Sequence, residues 1–190
     1  METCNIMNKN ERMLNINNKI NNCKNCDLYL SRNNAVPGEG NLNAKVMVIG
    51  EGPGRDNDLQ GRPFVGKGGK ILDDILCEVE IAREELFLTN ILKCRMPENK
   101  TPTKDYINIC CNYLFQQVEV ISPLYIITLG AVAIQSLLDK SVKLSDIEGK
   151  CLDWKGYMVI PTYHPSASRY NKDVINKIKK TMIYVKENIK

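Results

Sequence analysis

The sequence predicts an α/β protein, a three-layer α/β/α sandwich around a central four-stranded, mostly parallel sheet. Two observations carry this expectation. Four short apolar runs, Val46 to Ile49, Leu86 to Leu88, Tyr125 to Leu129 and Tyr157 to Ile160, have the length and content of buried strands. Between the first three lie helical patterns long enough for crossover connections, Lys70 to Val79 and Thr103 to Ile121, with Thr103 as N-cap. Strands and helices alternating in this way put helices on both faces of one sheet.

Taken in order, residues 7–22 read as a polar helix. The stretch "NCKNCDLYLSRNNAVPGEGN" reads as an irregular segment ending in turn signals at Pro37-Gly38 and Gly40-Asn41. After the first strand, Asp56 to Arg62 reads as loop and postpones the next helix to about Lys67. Ala131 to Leu138 is helical, and Leu144 to Trp154 has room for an antiparallel strand ahead of Tyr157. The C-terminal stretch "NKDVINKIKKTMIYVKENIK" carries six lysines against two acids, with Ile175, Ile178, Met182, Ile183 and Val185 near helical spacing. It reads as an amphipathic helix with a solvated basic face.

The 190 residues suit a single domain, with an N-terminal cysteine-containing segment over about residues 1–40. No apolar run approaches the ~20 residues of a membrane helix. The polar, Asn-rich start lacks the apolar core of a signal peptide, so a cytoplasmic location is expected. A net charge of +4 permits contact with a polyanion without demanding it. Eight cysteines in a chain without an export signal point to metal or cluster ligation ahead of disulfides.

In open α/β sheets ligands sit beyond the carboxyl ends of the strands. The residues at those ends are Gly50 to Gly54, Thr89 and Asn90, Gly130, and Pro161 to Pro165, the last set holding the chain's single histidine, His164. Glycines at 50, 52 and 54 would let main-chain N–H groups approach a ligand. A dinucleotide fingerprint does not fit, because Pro53 breaks its spacing and no helix opens where it requires one. Phe64, in "GRPFVGKGG", is either a core residue or a ring held rigid at a pocket wall, where a flat heteroaromatic ligand would stack.

The segments "GEGPGRDNDLQGRPFVG", "LTNILKC", "CRMPENKTPT" and "IPTYHPSASR" together resemble the family 4 uracil-DNA glycosylases, the iron–sulfur branch of the uracil-DNA glycosylase superfamily. The resemblance runs from about Cys23 to about Arg169, in the family's order and near its spacing. It implies an enzyme that flips uracil out of DNA and hydrolyses its N-glycosidic bond, leaving an abasic site. Phe64 would be the stacking wall. Asn90 would read the O4 and N3–H edge of uracil, a pattern that cytosine reverses; otherwise it is a turn-capping asparagine. His164 would donate to O2 as a neutral imidazole, because a dry pocket opposes a fixed positive charge. Glu51 and Gly52 would line the base pocket. The family's usual acid is replaced by Asn57, and Asp56 and Asp58 flank the change, either to hold water or as solvated loop acids.

Cys23 and Cys26 form a C-x-x-C clip, which alone serves zinc, a redox pair or nothing. By resemblance, Cys94 and Cys110 complete the ligand set of a [4Fe–4S] cluster, with structural zinc as the alternative. Cys111 should point away from Cys110, about 100° round the helix, and Cys4, Cys77 and Cys151 read as free thiols. The loop after Cys94 carries Arg95 and Lys100, placed to lie along phosphates. "HPSASRY" would enter the minor groove, with Ser166, Ser168 and Arg169 on phosphates. Ala167 is small where the family has a larger apolar residue, which implies a preference for single strands or U·G mismatches. The expected partner is uracil-containing DNA, single- or double-stranded, met by a monomer and not at a membrane. A silent DNA-binding module of the same fold, such as a polymerase accessory domain, is the rival reading. The joint presence of Glu51, Phe64, Asn90 and His164 weighs against it.

Overall fold

The computed structural model describes residues 7–138 and 140–189; the expectation for Cys4 lies outside them. The helix α1 (Lys9–Asn21) begins at a capping box in which Asn8 and Glu11 bond each other's backbone N–H. The strand runs appear where expected, as β2 (Val46–Gly50), β3 (Leu86–Asn90), β4 (Tyr125–Leu129) and β6 (Tyr157–Thr162), all mutually parallel. The sheet has six strands, not four. A two-residue strand β1 (Glu39–Gly40) and β5 (Leu152–Trp154) add antiparallel edges, giving the order β1-β3-β2-β4-β6-β5.

The edge at β1 arises where the sequence showed a turn. Gly40, at φ +130°, lies so close to β3 that a Cβ would stand 2.0 Å from the Leu86 carbonyl oxygen. Ion pairs from Arg62 and Arg83 to Glu39 hold it there.

The central strands bury both faces, and alternate residues divide between two cores. Met47, Ile49, Phe87, Ile126 and Val159 pack under α1, α4 (Lys104–Ile121) and α5 (Ala131–Leu138). Val46, Val48, Leu88, Ile127 and Ile160 pack under α3 (Lys67–Glu78) and α7 (Asp173–Asn188). That is the three-layer arrangement. Thr103 stands at the N-cap of α4 with extended backbone but no side-chain bond to it. A short helix α6 (Leu144–Ile147) precedes β5. A further short helix, α2 (Arg55–Gln60), replaces the expected loop.

From β2 the chain moves to β3 on one side and later to β4 on the other, so β2 marks where the strand order reverses. A crevice opens at such a point beyond the strand ends.

Candidate active site

A cleft of about 840 Å³ lies there. It gathers Glu51, Gly52, Asp56, Phe64, Asn90 and His164, which the sequence scatters over more than a hundred positions. Lys100, Ser166 and Arg169 line it as well.

Gly50 does not admit a ligand to its backbone, as the glycine pattern had implied. A Cβ there would fall 2.4 Å from Asn90 Oδ1 and 3.0 Å from Phe64 Cζ, so the vacancy is filled by two of the protein's own side chains. Phe64 is both core and wall: the residue is 6% exposed, belongs to the same core as Leu72 and Leu129, and lines the cleft. Its φ of +53° is costly for a bulky residue and persists because its surroundings fix it. Gly69 is one such surrounding, since a Cβ on it would overlap the Phe64 carbonyl at 1.7 Å.

Asn90, 4% exposed, closes β3, and its side-chain amide has no hydrogen-bond partner among the described residues. A buried amide held at a cleft wall with donor and acceptor unspent is available to a ligand.

His164 caps the 3-10 turn Pro165–Arg169. The Ser166 backbone N–H donates to its Nδ1 at 3.2 Å, and the Ser166 hydroxyl lies 2.7 Å from the same atom. Nδ1 is therefore the acceptor, and the ring proton sits on Nε2. Burial lowers the imidazole from its ordinary value to about 4, so the ring is neutral at physiological pH. Its plane lies 25° from that of Phe64, with centroids 6.5 Å apart. Ser166, expected on phosphate, instead has its hydroxyl against the histidine. Ser168 does not line the cleft.

Burial raises the Glu51 carboxyl above the usual carboxylate range. Asp56 and Asp58 separate because α2 is a helix, on which residues two apart point about 200° from each other. Asp56 lines the cleft. Asp58 does not: it is 1% exposed and accepts from the backbone N–H of Asn33 and Asn34 and from the Asn33 side-chain amide. The structure thus removes Asp58 from the catalytic candidates and makes it an anchor for the N-terminal segment. Asn57 is spent on capping, accepting from the Gly54 N–H at 3.0 Å and donating to the Arg62 carbonyl at 2.9 Å.

Several lining residues escaped the sequence reading. Arg55 and Lys67 join Lys100 and Arg169 at the rim, and Tyr170, 92% exposed, stands beside them. Lys100 pairs with Glu98 at 3.1 Å, while Arg55, Lys67 and Arg169 have no ion-pair partner among the described residues. A basic residue directly after each glycine turn, at Gly54 and Gly66, was the available signal.

Cys23, Cys26, Cys94 and Cys110 line one enclosed pocket walled by Ile20, Leu28, Leu92, Ile109 and Tyr113. Arg32 Nη1 donates to Cys94 Sγ at 3.0 Å, and the Lys93 N–H donates to Cys110 Sγ at 3.2 Å. Both bonds suit sulfur carrying negative charge, as metal-bound thiolates do. Burial pushes the free Cys110 thiol up to about 12 and raises that of Cys94 too. Among the described residues, no three His, Cys, Asp or Glu side chains gather round a single point as one metal ion requires. Cys111 faces another groove, beside Phe115 and Trp154, and Cys77 and Cys151 are exposed.

Residues 37–186 match the Uracil DNA glycosylase superfamily. A type-4 uracil-DNA glycosylase of Thermotoga maritima is 38% identical over 187 residues, covering 94% of this chain and 97% of the relative. Another, from Saccharolobus solfataricus, is 41% identical over 181 residues, 90% and 84% of the two chains. A third, from Archaeoglobus fulgidus, is 41% identical over 160 residues, 80% of each. With a family match across most of its length and relatives of this identity and coverage, the chain belongs to the uracil-DNA glycosylase superfamily, in its type-4 branch.

Proposed function

We propose that this protein is a monofunctional DNA glycosylase that takes uracil from DNA into the cleft and hydrolyses its N-glycosidic bond, leaving an abasic site. The observation that carries this reading is the convergence of Phe64, the unspent Asn90 amide and the neutral His164 on one cleft. Phe64 stacks on the extruded base. Asn90 donates from Nδ2 to O4 and accepts N3–H at Oδ1, whereas cytosine presents a donor and an acceptor in the reverse order. His164 Nε2–H donates to O2 as negative charge gathers on the departing uracil, a preorganised donor whose tautomer Ser166 fixes. Gly52 offers a backbone contact. Glu51 occupies the space a 5-methyl group would need, its carboxyl raised above the usual carboxylate range by burial. Asp56 orients water and offsets the cationic character of the sugar.

Arg55, Lys67, Lys100 and Arg169 hold flanking phosphates. Ala167 packs against the core and gives the turn no apolar wedge, so the protein acts faster on single strands and U·G mismatches than on U·A pairs. It works as a monomer in the cytoplasm; no helix among the described residues is long and apolar enough to cross a membrane.

Cys23, Cys26, Cys94 and Cys110 hold a [4Fe–4S] cluster. Two N–H···S bonds and an apolar wall support this, and one thiolate per iron asks for a wider spread of sulfurs than a single zinc does. When bound, the cluster supplies a crosslink between the N-terminal segment and α4. Incubation with an end-labelled oligonucleotide holding one uracil, then alkali, tests the activity: cleavage at uracil is expected, and none there defeats the reading. Iron and sulfide analysis separates cluster from zinc.

A further inference from the structure

Lys93 lies three residues beyond Asn90 and is 1% exposed, with no carboxylate against it among the described residues. Its Nζ donates to Thr89 Oγ1 at 2.6 Å, to the Asn90 carbonyl at 2.7 Å and to Gln117 Oε1 at 2.7 Å. The surrounding donors have a nearer acceptor: the Thr89 hydroxyl and the Gln117 Nε2 both donate to the Pro37 carbonyl at 2.8 Å, while the hydroxyl stands farther, 3.3 Å, from Gln117 Oε1. Three acceptors are thus left for three N–H bonds, which is the complement of an ammonium group. Three uncharged acceptors solvate this cation but do not neutralise it, and a buried charge without a counter-charge is expensive.

The neighbouring source of negative charge is the thiolate set. Lys93's own N–H bonds Cys110 Sγ, and Cys94 follows it in the chain. Lys93 also bonds the N-terminal segment, its carbonyl accepting from the Val36 N–H at 2.8 Å. One residue therefore joins the cysteine pocket, α4, the N-terminal segment and the end of the strand that carries the base-reading amide.

We propose that Lys93 is a positioning residue that links the cluster to base recognition: its ammonium fixes the Asn90 main chain, and the cluster-bound thiolates supply its counter-charge. Loss of the cluster removes that counter-charge, and the carboxyl end of β3 loosens with it. This rests on the assignment of Asn90 and of the four cysteines made above.

The test compares wild type with Lys93→Met and Gln117→Glu, each prepared with its iron and then stripped with a chelator. With iron retained, Lys93→Met should weaken inhibition by free uracil roughly tenfold, the scale of one lost buried charge-assisted bond, with affinity for uracil-free DNA unchanged. On stripping, the unfolding midpoint should fall furthest for wild type. It should fall less for Lys93→Met, which has no ammonium to compensate, and less for Gln117→Glu, which supplies a carboxylate. Equal falls in all three, or uracil inhibition unchanged in an iron-replete Lys93→Met protein, would overturn the proposal. If Lys93→Met does not fold, Gln117→Glu decides alone, since it keeps the lysine. Should wild type fail to excise uracil, the functional reading falls, while the stripping comparison still judges the charge pairing.

Discussion

Gly50→Ala is the smallest change that should disable the site. Gly50 lies outside the left-handed region, so alanine meets no backbone strain there. Its Cβ, however, would stand 2.4 Å from Asn90 Oδ1 and 3.0 Å from Phe64 Cζ, where ordinary contact begins at 3.4 Å. The amide must retreat by 3.4 − 2.4 = 1.0 Å. Overpacking of this kind costs about 1–3 kcal/mol of stability, which a domain with ~5–15 kcal/mol tolerates while remaining folded. A displacement of about 1 Å at a reacting group costs on the order of 100-fold in turnover. Loss of activity should therefore far exceed loss of structure. Single-turnover excision from a uracil-containing single strand, read beside circular dichroism melts, measures both. A folded Gly50→Ala protein that retains wild-type turnover would refute the placement of Asn90 and Phe64 against the base.

Four further outcomes follow from the same geometry. Because burial holds His164 down to about 4, excision should stay level from neutral pH to about 5 and fall only as pH approaches 4; an acid limb near the ordinary 6.5 would contradict the buried neutral ring. In the same window the unfolded chain binds a proton before the folded one, so the stability contributed by keeping this ring neutral is present above 6.5 and lost as pH falls towards 4, which melts of wild type and His164→Ala across pH would show. Asp58→Ala should lower stability by about 1–3 kcal/mol through the unpaired N–H groups of Asn33 and Asn34, yet leave the turnover of the folded fraction near wild type, as melting curves and active-site titration would reveal. Replacing Lys67 or Arg169 by Ala should weaken DNA binding and reduce the slope of log affinity against log salt by about one each, measured by fluorescence anisotropy.

What the sequence made legible was what repeats along it. The four strand runs and the crossover helices announce themselves by length and period, and β4 and α5 fall at their expected bounds. The edge strand β1 did not, because its two residues include a glycine that is there for close approach to Leu86 and has no apolar signature. The helix α2 was hidden because "RDNDLQ" lacks an apolar face; Asn57 capping from within starts it, and Gly61 at φ +67° ends it. That omission also left Asp56 and Asp58 as apparent equals, a tie that helix geometry breaks. Likewise, the partners of Ser166 and Lys93 depend on where β6, β3 and α4 meet, a relation no spacing in the chain encodes.

The central claim is that one cleft holds uracil by a ring, an amide and an imidazole. A crystal structure of the iron-replete protein soaked with free uracil tests it most directly. The base should lie parallel to Phe64, with its O4 and N3 edge on the Asn90 amide and O2 within hydrogen-bond reach of His164 Nε2. Uracil seated elsewhere, or in the cleft with that edge turned away from Asn90, would contradict it.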